Sequence, residues 1–245
     1  MIKTITSATN PLIKRLHALK SGKGPDSETS FLVYGYHLVS MALQFDHVET
    51  IIASKPLEGV KDKIDQIIVP DHIIQKLSGQ VSPQDVLAVC RQMNEAPLSG
   101  KCIAYLDGVN DPGNLGTILR SAAAFGIDLV MLGKECASRY NQKTVAASQG
   151  ALFSVATRQG NEEDLHELKT RGYRFVGTVL DETAVPLKDF RYPDQCVMFF
   201  GSEGHGLRPE LVARLDHKII IPMAHIESLN VAMAAAIVFY DMKYR

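Results

Sequence analysis

The chain has no C-x-x-C pair: Cys90, Cys102, Cys136 and Cys196 stand far apart. That scatter argues against a zinc ribbon or a dithiol redox motif, and for thiols kept reduced in a cytosol. No metal site is expected from it. No apolar run reaches the length of a membrane span. The N-terminus lacks the order of charge, apolar run and small residues that marks a secretory signal. No internal repeat and no low-complexity tract is found. Net charge is almost absent too, at −1, so the whole chain is no polycation. What is missing locally is acid: residues 1–25 hold Lys3, Lys14, Arg15, Lys20 and Lys23 and neither Asp nor Glu. An unopposed basic arm is the footprint that nucleic acid binding leaves, although a solvated helix face explains the charges equally well. If all five contacted single-stranded phosphates, log K would fall with log salt at a slope of about −3.5.

What is present is apolar content: 46% of 245 residues, enough for one large domain or two modest ones. Residues 1–97 read as a small α/β unit. The spacing predicts helices over 12–20 and 36–45. Strands are expected over 31–33, 49–53, 66–69 and 86–90, with helical stretches between the later ones. Residues 94–100 read as a linker, and a second domain covers 98–245. There the pattern is regular. Strands are expected over 102–106, 129–132, 153–157, 173–180, 197–200 and 218–221. Helices are expected over 115–125, 142–148, 162–171 and 209–215, with a last helix from Ser228 almost to the end of the chain. Strands apolar throughout, alternating with helices, imply a mostly parallel sheet covered on both faces. In such sheets ligands sit beyond the carboxyl ends of the strands.

Three strand ends carry unusual loops. Residues 107–114 are turn-rich and polar, with Arg120 in the helix that follows. Residues 201–207 place Gly201, Gly204 and Gly206 close together, which lets backbone N–H groups approach a ligand. Their spacing is not G-x-G-x-x-G and no Gly-Lys-Ser/Thr follows, so neither a dinucleotide fingerprint nor a P-loop is matched. That counts against a dinucleotide-dependent oxidoreductase. Residues 222–230 form a polar turn before the last helix, where Ser228 is the expected N-cap. That helix has little polar face from Val231 to Tyr240. It is therefore expected at the centre of the fold or against a second subunit.

In this order the three loops resemble the three motifs of the SpoU (TrmH-like) class of SPOUT RNA methyltransferases. Motif one is matched by residues 111–126, motif two by 201–207, and motif three by 221–223 with 227–231. Residues 148–151 also fit. The N-terminal unit resembles, more weakly, the L30e-like substrate-binding domain common in that class, through Asn10-Pro11, residues 31–33, Gly35 and Pro83-Gln84. The resemblance implies an α/β fold ending in a deep trefoil knot, an exception among unknotted chains. It also implies a cytoplasmic homodimer with the site near its interface, S-adenosylmethionine as donor, and a ribose 2′-hydroxyl in RNA as acceptor. Ribosomal RNA is favoured over transfer RNA, because the L30e-like unit is more typical of that group. The alternatives are a non-catalytic RNA-binding protein that keeps the fold, or a transfer RNA 2′-O-methyltransferase.

Carried over by motif, the donor would lie on Gly201, Ile221 and Leu229, with Thr178, Leu180, Gly204 and Met223 beside them. Asn114, Arg120, Glu203, Ser228 and Asn230 match the positions around the reacting ribose. Arg120 is implied either as base or as electrostatic stabiliser. Arginine is effectively always protonated, which favours the second role. Lys14, Arg15, Lys20 and Lys23 are the RNA-binding candidates. This chain departs from the pattern at His225, where glycine is usual, and at Ala232, where serine is frequent. It departs again at Tyr34 and Asp85 in the N-terminal unit.

Overall fold

The computed structural model describes residues 1–22, 26–79 and 81–245. In chain order the first elements are β1 (Ile2–Thr4), α1 (Pro11–Lys20), β2 (Ser30–Tyr34), α2 (Tyr36–Gln44) and β3 (Val48–Ala53). Next come β4 (Asp65–Ile68), α3 (Asp71–Ser78), β5 (Val86–Arg91), β6 (Cys102–Leu106), α4 (Pro112–Phe125), β7 (Leu129–Leu132) and α5 (Gln142–Ser148). The remainder are β8 (Thr157–Gln159), α6 (Glu162–Thr170), β9 (Arg174–Thr178), β10 (Val185–Pro186), β11 (Cys196–Phe200), α7 (Pro209–Val212), β12 (His217–Ile220) and α8 (Val231–Tyr244). These form two compact units, one of Met1–Asn94 with Tyr140–Phe153, the other of Glu95–Arg139 with Ser154–Arg245. No helix among the described residues is long and apolar enough to cross a membrane.

The first unit is a five-stranded mixed sheet in the order β1-β4-β3-β5-β2. The alternation in α1 buries Ile13, Leu16 and Leu19 against Ile73, Ile74 and Leu77 of α3 and against Leu32, Ile52 and Leu87 of the sheet. Pro11 at the first helical position and the Asn10 side chain, which accepts from the Leu12 N–H, start α1 where the sequence predicts. Residues 140–153 add an aromatic cover to this unit: Phe31 lies 4.8 Å from Tyr140 and 6.2 Å from Phe153.

The second unit is a seven-stranded sheet in the order β10-β12-β9-β11-β6-β7-β8, every pairing parallel. Its inner strands β6, β7 and β11 are short apolar runs buried on both faces, as a doubly covered sheet requires. One face buries Tyr105, Phe175 and Phe199 against Leu165 and Leu168 of α6 and Leu211 of α7. The alternation of strand side chains turns Cys102, Ala104, Cys196, Met198 and Phe200 to the other face. Phe200 there meets Phe239 of α8 edge-on at 5.4 Å. α4 and α8 run side by side in the same direction. Asn230 reaches Asn114 near their starts, and Tyr240 meets Phe125 near their ends.

Several expectations are corrected. Residues 54–64 contain no helix; Pro56 and Gly59 interrupt any helical pattern there. The strand expected over 153–157 is a short 3₁₀ turn, Ala151–Phe153, followed by β8. α4 begins at Pro112 rather than Leu115, because Asp111 caps it by accepting from the Asn114 N–H. Ser228 does not cap α8. Asn230 does, its side-chain oxygen accepting from the N–H groups of Ala232 and Met233. Of the two places expected for α8, the centre of the fold is only half met within one chain: Val231, Ala232, Ala235, Val238 and Phe239 are buried, but Met233, Ile237, Tyr240 and Tyr244 are 38% to 67% exposed.

Candidate functional site

The loops expected to meet do so at the carboxyl end of the parallel sheet. One open cleft of about 560 Å³ lies between the ends of β9, β11 and β12 and the start of α8. Gly201, Ile221, Leu229, Thr178, Leu180, Gly204 and Met223, the donor-binding candidates, all line it. So do Glu203 and Ser228. Leu180 and Ile226 expose large apolar side chains at this end of the unit.

The motif-two loop is a tight hairpin. Ser202 and Gly206 exchange backbone hydrogen bonds of 3.1 and 2.9 Å, and Gly206 has a left-handed φ of 66°. This folds residues 206 and 207 back over Gly201, where a Cβ would overlap backbone atoms of Gly206 and Leu207. Only glycine fits at position 201. Glu203 sits at the tip of the hairpin and accepts a hydrogen bond from Asn114 Nδ2. Asn230 Nδ2 donates in turn to Asn114 Oδ1 at 3.0 Å. Motifs one, two and three are thus joined by one chain of side-chain amides ending on a carboxylate.

Arg120 stands apart from this chain. It is six residues beyond Asn114 on α4, about 9 Å along the axis and on a different side of the helix. It is exposed, and among the described residues no hydrogen bond or ion pair engages it. Of the RNA-binding candidates, Lys14 is exposed and Lys20 partly so. Arg15 is not unopposed, since its guanidinium forms a two-bond ion pair with Asp26, whose carboxyl it holds below the ordinary value. The acid-free stretch ends one residue short of that partner. Lys23 lies outside the described residues.

Two groups escaped the sequence reading. Asp107, 2% exposed at the carboxyl end of β6, accepts from Arg208 Nη2 at 2.7 Å, Nε at 2.8 Å and the Arg208 N–H at 3.0 Å. This clasp ties the loop before α4 to the residue that leaves the motif-two hairpin. An acid directly after a fully apolar strand was the available signal, since a buried carboxylate must find a partner. Asp181 lines the cleft after β9, and Lys218 and Thr183 hold its carboxyl well below the ordinary value by hydrogen bonding. Among the described residues no cluster of three or more His, Cys, Asp or Glu side chains is gathered as a metal site would need.

A parallel sheet whose carboxyl-end loops carry an ordered amide–carboxylate chain beside one cleft defines an α/β enzyme of the SpoU class. The chain belongs to the SpoU rRNA methylase family, whose model matches residues 101–240. Residues 10–88 match the MRM3-like substrate binding domain. Over 99% of its length the chain is 31% identical to all of a 23S rRNA (guanosine(2553)-2′-O)-methyltransferase, RlmP, of Bacillus subtilis (strain 168). An AdoMet-bound rRNA methyltransferase from Sinorhizobium meliloti superposes with a TM-score of 0.89 at 30% identity, covering 98% of this chain and 97% of that one. The SpoU methyltransferase AviRb from Streptomyces viridochromogenes, in complex with AdoMet, gives 0.82 at 25% identity, covering 95% and 96%.

Proposed function

We propose that this chain transfers a methyl group from S-adenosylmethionine to a ribose 2′-hydroxyl of ribosomal RNA in the cytoplasm. The observation that carries the reading is the cleft, with the Asn230–Asn114–Glu203 chain at its mouth. The cleft suits the donor in size, since pockets for such ligands span roughly 300–1,000 Å³. It suits it in character too: apolar Ile219, Leu229 and Val231 line it together with the acids Asp181, Glu203 and Glu227. S-adenosylmethionine supplies a methyl group already activated by a sulfonium. The chain's own task is then largely orientation, worth on the order of 7–11 kcal/mol. Asn114 holds the Glu203 carboxylate, and Asn230 holds Asn114. Ser228 stands beside them to bond the ribose. Arg120 keeps its charge and stabilises a phosphate or the developing alkoxide.

The first unit is the RNA-binding domain in this reading, with Lys14, Lys20 and Lys23 reaching the phosphates. The match to a substrate-binding domain supports it. The ribosomal RNA preference is supported by the names of the relatives above. The active form is a homodimer, and the stripe of Met233, Ile237, Tyr240 and Tyr244 supports that. These residues follow i, i+4, i+7, i+11 spacing and so share one apolar face of α8. A face of that kind beside α4 also gives the solitary Arg120 a neighbouring copy. The strand order, with β12 between β9 and β10, accords with a trefoil knot.

The test is methyl transfer from labelled S-adenosylmethionine to total RNA from a strain lacking this gene, with Arg120→Ala alongside. Label in a 2′-O-methyl nucleoside of ribosomal RNA, lost in the variant, is the expected result. Label confined to transfer RNA would overturn the substrate. No label and no donor binding would overturn the reaction.

A further inference from the structure

We propose that Cys102 and Cys196 are a redox-modification site, joined as an intrachain disulfide when the protein meets hydrogen peroxide. The two are distant in sequence but directly paired in register at the first positions of β6 and β11. Neighbouring strands lie about 4.8 Å apart. Directly opposed residues of a parallel pair point to the same face, so both side chains lie on the α8 side of the sheet. That separation falls within the Cα window of roughly 4.4–6.8 Å that a disulfide requires.

The corner is firmly held. The N–H groups of Lys101 and Cys102 both donate to Asp128 Oδ2, at 2.7 and 2.9 Å, and the Cys196 N–H donates to the Lys101 carbonyl at 2.9 Å. Cys196 is fully buried, whereas Cys102 is partly exposed. The adjacent Cys196 thiol lowers the Cys102 thiol, with smaller help from Lys101 and Lys243, against the opposing effects of burial and Asp128. Its neighbour Cys102 and burial push the Cys196 thiol up. Exposure sets the roles: the partly exposed Cys102 is the accessible nucleophile and the buried Cys196 the sheltered resolving thiol, the asymmetry such a site needs. Cys136 cannot take either place. Its Sγ rests on the Leu106 carbonyl at the far end of β6, about 13 Å from Cys102 at a strand's rise per residue. Cys90 belongs to the first unit.

The chemistry closes without a metal. The Cys102 thiolate attacks peroxide and the O–O bond breaks. This leaves a sulfenic acid, and hydroxide that takes up a proton to become water. The Cys196 sulfur then attacks the Cys102 sulfur, the S–O bond breaks, and a second water leaves with the Cys196 proton. Two thiols are oxidised and one peroxide is reduced to two waters.

The experiment treats the full-length protein with hydrogen peroxide, alkylates it under denaturing conditions and maps the peptides without reduction. The expected map links the Cys102 and Cys196 peptides within one chain and leaves Cys90 and Cys136 alkylated. In Cys196→Ser, dimedone should capture a sulfenic acid on Cys102; in Cys102→Ser, Cys196 should stay reduced. A wild-type map in which Cys102 is oxidised but unlinked to Cys196 overturns the proposal. So does one in which it pairs with Cys136 or with a second chain.

Discussion

Glu203 is reached by Asn114 and lies exposed at the tip of a hairpin, so its contribution depends on being held in place. Glu203→Gln preserves shape and alters charge and bonding. It should lower single-turnover methyl transfer about 10²-fold, the scale of a small misplacement. An unaltered rate would remove Glu203 from the reacting centre. Asp107 acts through Arg208 instead and is a positioning residue. Asp107→Ala leaves the Arg208 guanidinium without its two bonds and the Arg208 N–H without its acceptor, and should destabilise the fold by about 2–3 kcal/mol, from hydrogen bonds to charged groups. Urea unfolding measures it, and a shift below about 0.5 kcal/mol would mean that the clasp contributes nothing beyond ordinary surface contacts. At this scale the sequence was only partly legible. Gly201, Glu203 and Asn230 stood out because the motifs marked them. Asp107 did not, since its meaning depends on Arg208, a hundred residues away in sequence and adjacent only once β6 and β11 pair.

Among the elements, the motif-two hairpin is closed by the Ser202–Gly206 backbone pair with the Ser202 hydroxyl accepting from the His205 N–H, and Gly201 is the position where it admits no side chain. Gly201→Ala should weaken donor binding at least about tenfold, a loss of about 1.4 kcal/mol; an isothermal titration that matched wild type would show that the hairpin gives way freely. The start of α8 is the second joint. Asn230→Ala removes a cap worth about 1 kcal/mol and frees Asn114 at the same time. Stability and rate should therefore fall together in that variant, whereas Ser228→Ala should change rate without stability. The parallel strands were legible because runs that are apolar on both faces have one solution, a doubly covered sheet. The starts of the helices were less so. Both Ser228 and Asn230 can cap, and the choice rests on which of them must also turn toward Asn114.

For the whole molecule, charge and apolar area make separate statements. With Arg15 engaged by Asp26, contacts from the four lysines of the arm, Lys3, Lys14, Lys20 and Lys23, would make log K for single-stranded RNA fall with log salt at a slope of about −2.8. A slope near zero in a filter-binding series would take RNA binding away from this arm. Placing carboxylates on the exposed face of α8, in Met233→Glu with Tyr240→Glu, should give a monomer by light scattering, and a dimer that persists would move the interface elsewhere. The segment Tyr140–Phe153 has a further consequence. It lies between two strands of the second unit in sequence yet folds with the first, so the backbone passes from one unit to the other three times. Neither unit is a contiguous stretch of gene. Truncation after residue 97 would strip the first unit of the rings that cover Phe31. The complementary fragment, residues 98–245, would carry a fourteen-residue strap with nothing to fold upon. A protease that cuts any one crossing would nick the chain without parting the units, as the other two would still tether them.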